Sequence, residues 1–337
     1  MSLPEHIVIT GASGGVGRAT ARYFAEMLGP RARIALLARN VEALFAAKRE
    51  VEGHGSRALV IPTDVSQSEQ VFNAAQRAVK EFGPVDVWIN NAMVSAYAPF
   101  TALSPEEFAH ITNVTYLGQV YGTMAALRDM LPRDRGTIVQ IGSALAKRSI
   151  PLQSAYCGAK HAVAGFTEAI RTELIHMKSN VHITIVHLPG VNTTQFEWTL
   201  NKMPHKSQPV GTIYQPEVAA DAIYFAAHHP RKQFSVGWPT VESTEAQKLA
   251  PALMDRYLAS AAWNGSQRHE KADPAAPNNF WKPVRGDRGS HGPFDNKSKG
   301  RSFQVWANKH RKAFFATAAF AAGIAISKAV RGNGSEQ

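Results

Sequence analysis

The segment Thr10-Gly11-Ala12-Ser13-Gly14-Gly15-Val16-Gly17 joins a β-rich run, HIVIT at 6–10, to a run of helical spacing, RATARYFAEML. Glycines between a strand and a helix let the backbone approach a pyrophosphate, and the helix N-terminus meets it with free N–H groups and a positive dipole end. Alone, the same glycines also fit a plain tight turn, since the spacing is Gly-x-x-x-Gly-x-Gly rather than Gly-x-Gly-x-x-Gly. The surroundings decide between the two. Strand-like runs recur as RIALLA (33–38), RALVIP (57–62), VDVWIN (85–90), GTIVQIG (136–142), VHITIVHL (181–188) and a weaker QFSV (233–236). Helical patterns fill the gaps near 15–28, 40–52, 66–82, 104–131, 154–178 and 215–229. Asn40, Ser66 and Ser104 read as helix caps, and Pro105 suits a first helical turn.

Strands alternating with longer helices specify an α/β fold: a Rossmann-type doubly wound, mainly parallel seven-stranded sheet with helices on both faces. In such sheets ligands bind beyond the carboxyl ends of the strands. The second strand ends in Leu37-Ala38-Arg39-Asn40, where an acidic residue would hold an NAD ribose. Arg39 instead suits a 2′-phosphate that a carboxylate would repel, which favours NADP over NAD. Asp64-Val65 after the third strand is placed to accept from an adenine amino group, and Asn90-Asn91-Ala92 follows the fourth. In SAYCGAKH (154–161), Tyr156 and Lys160 stand one helical turn apart on the same face, so an ammonium charge can favour a phenolate. Ser143, closing the fifth strand, is placed to hydrogen-bond a substrate oxygen. Cys157 points about 100° away from Tyr156 on the same helix and reads as packing.

With these motifs in order, residues 5–240 resemble the short-chain dehydrogenase/reductase family. The resemblance rests on TGASGGVG, NNA, Asn113 in ITNVTYLG, Ser143 in VQIGSA, Tyr156 and Lys160 in YCGAK, and Pro189-Gly190 in HLPGVNTT. It implies NAD(P)(H)-dependent interconversion of an alcohol and a carbonyl, without metal, in a dimer or tetramer. It implies Tyr156 as the acid–base, Ser143 as the stabiliser of the substrate oxygen, Lys160 also on the nicotinamide ribose, and Asn113 on a water linking Lys160 to solvent. It further implies cofactor contacts from Gly11, Ser13, Gly14, Gly15, Val16, Gly17, Arg39, Asp64, Val65, Asn91 and Ala92. Tyr156, Lys160, Pro189, Gly190, Val191, Thr193 and Thr194 complete that set. Three positions depart from the family pattern. Gly14 stands where NADP-using members often carry a base, Met93 where a glycine often follows NNA, and Asn113 is followed by Val-Thr rather than Val-Asn. The segment after Pro189-Gly190 folds over the ligands in the family, and its Phe196, Trp198, Leu200 and Met203 suggest a lipophilic alcohol or ketone.

Composition bounds the rest. The chain has 337 residues, 45% hydrophobic and 19% charged, enough for a sizeable core. A single cysteine excludes an internal disulfide and fits a reducing compartment. MSLPEHIVITG lacks the basic and apolar regions of a signal peptide, so a cytoplasmic location is expected. The thirteen histidines, among them His110, His161 and the pair His228-His229, show no ligand spacing with an acidic partner, so no metal is expected. From Arg268 onward 13 Lys/Arg face 5 Asp/Glu, most of the net +11. The basic excess thus belongs to the tail, and nucleic-acid binding by the body is not expected. The expected organisation is a catalytic domain at 1–262, an extended basic Gly/Pro-rich arm at 263–312 and an apolar helix at 313–330. Its uncharged run, AFFATAAFAAGIAIS, would rise about 22 Å as a helix, short of a roughly 30 Å hydrocarbon core. Peripheral contact with an anionic membrane, or wrapping of the arm over its own domain or a neighbouring subunit, remain the alternatives for the tail. Against the oxidoreductase stand a non-catalytic dinucleotide sensor or scaffold on the same fold and a membrane-recruited interaction protein.

Overall fold

The computed structural model describes residues 4–237 and 251–311; the apolar run at 313–330 lies outside them. Seven strands among the described residues form one sheet: β1 (Glu5–Thr10), β2 (Ala32–Ala38), β3 (Arg57–Pro62), β4 (Val87–Asn90), β5 (Gly136–Ser143), β6 (Val181–Leu188) and β7 (Gln233–Ser235). Their spatial order is β7-β6-β5-β4-β1-β2-β3, and every neighbouring pair is parallel. Around them pack α1 (Gly15–Leu28), α2 (Val41–Gly53), α3 (Ser68–Phe82), α4 (Pro105–Thr112), α5 (Gly118–Met130), α6 (Ser154–His176) and α7 (Pro216–His228). Because successive side chains of a strand point to opposite faces, the apolar runs bury two layers. Ile7, Ile9, Ile34 and Leu36 pack with Phe24 of α1, Leu44 of α2 and Ile223 of α7. Val8, Ala35 and Leu37 pack on the other face with Val71 of α3, Ala125 of α5 and Leu174 of α6.

The strand order reverses between β1 and β4. Their carboxyl ends are joined by the Thr10 hydroxyl, which donates to Ile89 O (3.3 Å) and accepts from the N–H groups of Asn91 (2.9 Å) and Ala92 (3.1 Å). With the β1–β4 ladder and the Asn91 amide, which donates to Thr10 O at 3.0 Å, this hydroxyl sets the width of the crevice at the switch point.

Local chemistry corrects the expected boundaries in three places. Asn40 and Ser104 cap their helices, the latter in a reciprocal box with Glu107. Ser66 does not: α3 begins after Gln67, and the Ser66 hydroxyl donates to the Asp64 carboxylate at 2.8 Å. The single helix expected over 104–131 is interrupted by a π turn at Asn113–Leu117. The expected division at 262/263 falls inside another helix, α8 (Pro251–Gly265).

The basic arm, expected to lack regular structure, lies on its own domain. Gln267–Lys271 pairs antiparallel with His205–Ser207, and Ser298–Lys299 pairs parallel with Ile213–Tyr214. A last short helix, α9 (Phe303–Lys309), follows, and Phe280, Phe294 and Val305 anchor the arm as buried side chains. Among the described residues no helix is long and apolar enough to cross a membrane.

Phe24 shows how much the α1 layer carries. It is fully buried and meets Tyr224 edge to face at 4.9 Å. Phe24→Ala is expected to cost about 3–5 kcal/mol of stability, the range for emptying a core aromatic site. Urea denaturation checks this, and a loss under about 1 kcal/mol would contradict the packing described.

Candidate active site

A single cleft of about 660 Å³ runs along the carboxyl ends of the strands, from the glycine turn past β2 to β5 and α6. That volume lies within the usual range for small-molecule and cofactor sites. Its floor is shaped by Gly11, whose φ of +70° is easy only for glycine. A β-carbon there would lie 2.9 Å from Ala92 Cα, so the turn can lean on the Asn91-Ala92 segment only without one. Gly15 and Val16 bring the first turn of α1 to the cleft wall, where its N–H groups lack helical partners. These features fit a dinucleotide pyrophosphate.

Most of the expected site residues converge here. Gly11, Ser13, Gly14, Gly15, Val16, Arg39, Asp64, Val65, Asn91 and Ala92 line one end of the cleft. Ser143, Tyr156, Lys160, Pro189, Gly190 and Val191 line it further along, and Thr193 and Thr194 line it beside Gly15 and Gly14. Gly17 sits behind the turn, where a β-carbon would collide with the Gly11 carbonyl.

Asn113 does not join them. The inward face of the interrupted helix is Ile111, Val114, Thr115 and Gly118, all buried. Asn113 falls two residues from that row and is exposed. At the π turn the inward polar group is Thr115, whose hydroxyl donates to Val94 O (2.8 Å) and accepts from Val94 N (3.1 Å). The departure noted above, Val-Thr after Asn113, was the available signal.

Arg39 lines the cleft, but three of its N–H donors are taken by carbonyls of the arm, those of Asn279, Phe280 (3.2 Å) and Trp281 (3.0 Å). Of the four apolar residues expected around a substrate, Phe196 and Trp198 line the cleft. Leu200 pairs with Ala96 in a short parallel ladder, and Met203 fills a small cluster with Tyr97, Leu152 and Phe294. The apolar wall is completed by Tyr97, Ile150, Val210, Met254 and Leu258, which no motif marked.

The chemical end is built by β5, β6 and α6. Ser143 Oγ accepts from Leu145 N (3.1 Å), which holds the hydroxyl at the end of its strand. His187 is fully buried beside it, and burial pushes its imidazole down to about 4. It is therefore neutral, and its Nδ1–H donates to the Ser143 carbonyl at 3.1 Å. Lys160 is buried, with Nζ donating to Ile141 O at 2.6 Å and standing 5.6 Å from the centre of the Tyr156 ring. Burial brings its ammonium down from 10.5 to about 7. The Tyr156 phenol is pushed the other way, above 10, by burial, with the Ser143 hydroxyl opposing. The sequence suggested a phenol lowered by its lysine; desolvation dominates both groups instead. Cys157 is buried, and burial raises its thiol, in keeping with packing. Among the described residues no group of three or more His, Cys, Asp or Glu could hold a metal ion.

A model of the short chain dehydrogenase family matches residues 5–205. The chain belongs to that family. It is 32% identical over 331 residues to Uncharacterized oxidoreductase YxnA of Bacillus subtilis, across 96% of this chain and 90% of that one. It is 34% identical over 246 residues to 3-ketodihydrosphingosine reductase of Mus musculus, across 70% and 73%. An alcohol dehydrogenase from the archaeon Thermococcus sibiricus, solved complexed with 5-hydroxy-NADP, matches with a TM-score of 0.60 and 26% identity, covering 69% of this chain and 95% of that one. This short chain dehydrogenase is an oxidoreductase.

The discharged lysine has a measurable signature. An unfolded lysine keeps its proton up to about 10.5, whereas Lys160 in the fold releases it near 7. Between those values the unfolded chain binds more protons, so this group's contribution to stability rises with pH. Lys160→Met removes that dependence. Its stability relative to the natural chain is expected to fall between pH 7 and 10, by on the order of 1 kcal/mol per unit. Urea titrations at pH 7, 8.5 and 10 test this, and a difference independent of pH would contradict the burial assigned to Lys160.

Proposed function

We propose that the protein interconverts a lipophilic secondary alcohol with its ketone, or an alcohol with its aldehyde, using NADP(H) in preference to NAD(H), with Tyr156 as acid–base. The observation that carries this reading is the convergence of Ser143, Tyr156 and Lys160 at the far end of a cleft that begins at a glycine turn. The dinucleotide, when bound, supplies or accepts the hydride. Gly11, Gly15 and Val16 would hold its pyrophosphate, and Lys160 its nicotinamide ribose.

In reduction Ser143 hydrogen-bonds the carbonyl oxygen, and the Tyr156 phenol, held above its ordinary value, gives that oxygen a proton. Lys160, poised near neutrality, then favours the phenolate when charged and can return a proton to it. In oxidation the same groups run in reverse. Asn113, exposed, is left out of this scheme. The preference for NADP(H) is supported by Arg39 and by the absence of a carboxylate at the end of β2. A lipophilic substrate is supported by the wall of Tyr97, Ile150, Phe196 and Leu258, and a ketone by the mouse relative's name as a reductase of a keto compound. A non-catalytic sensor would not need Ser143, Tyr156 and Lys160 together in one cleft.

Two outcomes are expected. With a panel of ketones and NADPH, Tyr156→Phe should lower kcat about 10²–10⁴-fold, the usual worth of a positioned acid–base; full activity in that variant would refute the role. Arg39→Ala should raise KM for NADPH at least about tenfold more than KM for NADH, since the pairing with the 2′-phosphate is lost for NADPH only while the contacts to the arm carbonyls are lost for both. Equal effects on both would remove Arg39 as the discriminator. A clear preference for small charged sugars would refute the lipophilic pocket.

A further inference from the structure

The arm returns to the nucleotide end of the cleft and crosses it. At the end of β2 the carbonyls of Asn279, Phe280 and Trp281 accept from Arg39. Phe280 O also accepts from His110 Nε2 (2.8 Å), and the His110 and Trp281 rings lie 4.3 Å apart. Pro283 and Val284 then line the cleft itself. The next carbonyls, Val284 O (2.8 Å) and Gly286 O (3.1 Å), accept from the Asn40 amide, and Gly286 N donates to Glu42 (3.1 Å). The crossing finishes on the glycine turn, where Gly289 O accepts from Gly15 N at 3.3 Å.

An ion pair between a buried arginine and an exposed aspartate fastens this end. Arg18, in the first turn of α1 and only 4% exposed, pairs with Asp287 of the arm and with Glu50 of α2 (2.7 Å). The Arg18 guanidinium holds the Asp287 carboxyl below its ordinary value. The crossing also bears on Gly14, the position where a base is missing. A β-carbon there would lie 3.3 Å from Gly289 O, a tight contact with the arm, and in ordinary contact with the Trp198 ring at 3.7 Å. The similarity to the Thermococcus sibiricus structure covers 95% of that chain but 69% of this one, whereas the match to YxnA covers 96%.

We propose that residues 279–290 are a strap forming the outer wall of the dinucleotide site, with Asp287 as a positioning residue. Through Arg18 it holds Gly289 and the glycine turn against the nucleotide. The cofactor then enters and leaves only when the strap lifts. This rests on the reading of the cleft as a nicotinamide dinucleotide site. Because Glu50 still neutralises Arg18 when Asp287 is changed, loosening the strap need not strand a buried charge.

The test is the release rate of NADPH and NADH from the full chain, followed by nicotinamide fluorescence during a chase with excess NADP⁺ or NAD⁺. Asp287→Ala is expected to release the bound dinucleotide at least about tenfold faster, and Asp287→Glu to restore most of the slow release, while thermal unfolding midpoints stay within a few degrees. Release from Asp287→Ala at the natural rate, or failure of Asp287→Glu to restore it, overturns the proposal. A second measurement needs no variant. Trypsin cleavage after the exposed Arg285 and Arg288 should slow when NADPH is added to the natural chain, and an unchanged rate overturns the strap. If the chain holds NADH and not NADPH, the preference given above falls while the strap is read from NADH release and from cleavage with NADH. A chain that binds neither dinucleotide overturns both.

Discussion

The glycine-turn end of the cleft is referenced to the place where β1 and β4 lie side by side and their connections depart in opposite directions. The Thr10 hydroxyl ties the two carboxyl ends together. It acts with the β1–β4 ladder, which reaches Ile9 and Ile89, and with the Asn91 amide, which donates to Thr10 O at 3.0 Å. With these in place, Gly11 can approach Ala92 as closely as the absence of a β-carbon permits. The cleft is thus a consequence of sheet topology, and the side chains that line it are secondary to the backbone spacing.

The far end of the cleft obeys a different constraint, desolvation. A phenol and an amine are both placed where water is scarce, and each is pushed toward its neutral form. That brings the amine to near neutrality, where it can gain or lose a proton in response to a neighbouring charge. His187 belongs to the same dry environment. Too buried to charge, it serves as a neutral donor that fixes the strand end carrying Ser143.

The sheet was legible in the sequence because both of its layers are apolar runs with clear limits. RALVIP and VHITIVHL form β3 and β6 to the residue. The end of the cleft proposed as catalytic was legible because Ser143, Tyr156 and Lys160 are side-chain signals at strand and helix positions that periodicity can place. The helix over 104–131 was not, since a π turn adds one residue to a turn without changing the composition around it. Asn113 was placed by the family resemblance and not by periodicity, and the π turn puts Thr115, which that motif did not mark, on the buried face instead. The crossing of the arm was hidden for another reason: it is held largely by backbone carbonyls accepting from Arg39, Asn40 and Gly15, and a carbonyl leaves no trace in a residue pattern. Low hydrophobicity and many Gly and Pro residues looked like a loose arm because its anchors, Phe280 and Phe294, are few and far apart.

The contact between Gly15 and Gly289 joins residues at opposite ends of the chain. During synthesis the first strand and its glycine turn leave the ribosome long before residues 279–290 exist. A domain that has already formed its sheet must therefore wait, with its crevice uncovered, until residues 279–290 have been made. A chain cut short after α8 would carry Ser143, Tyr156 and Lys160 without the segment that crosses the glycine turn.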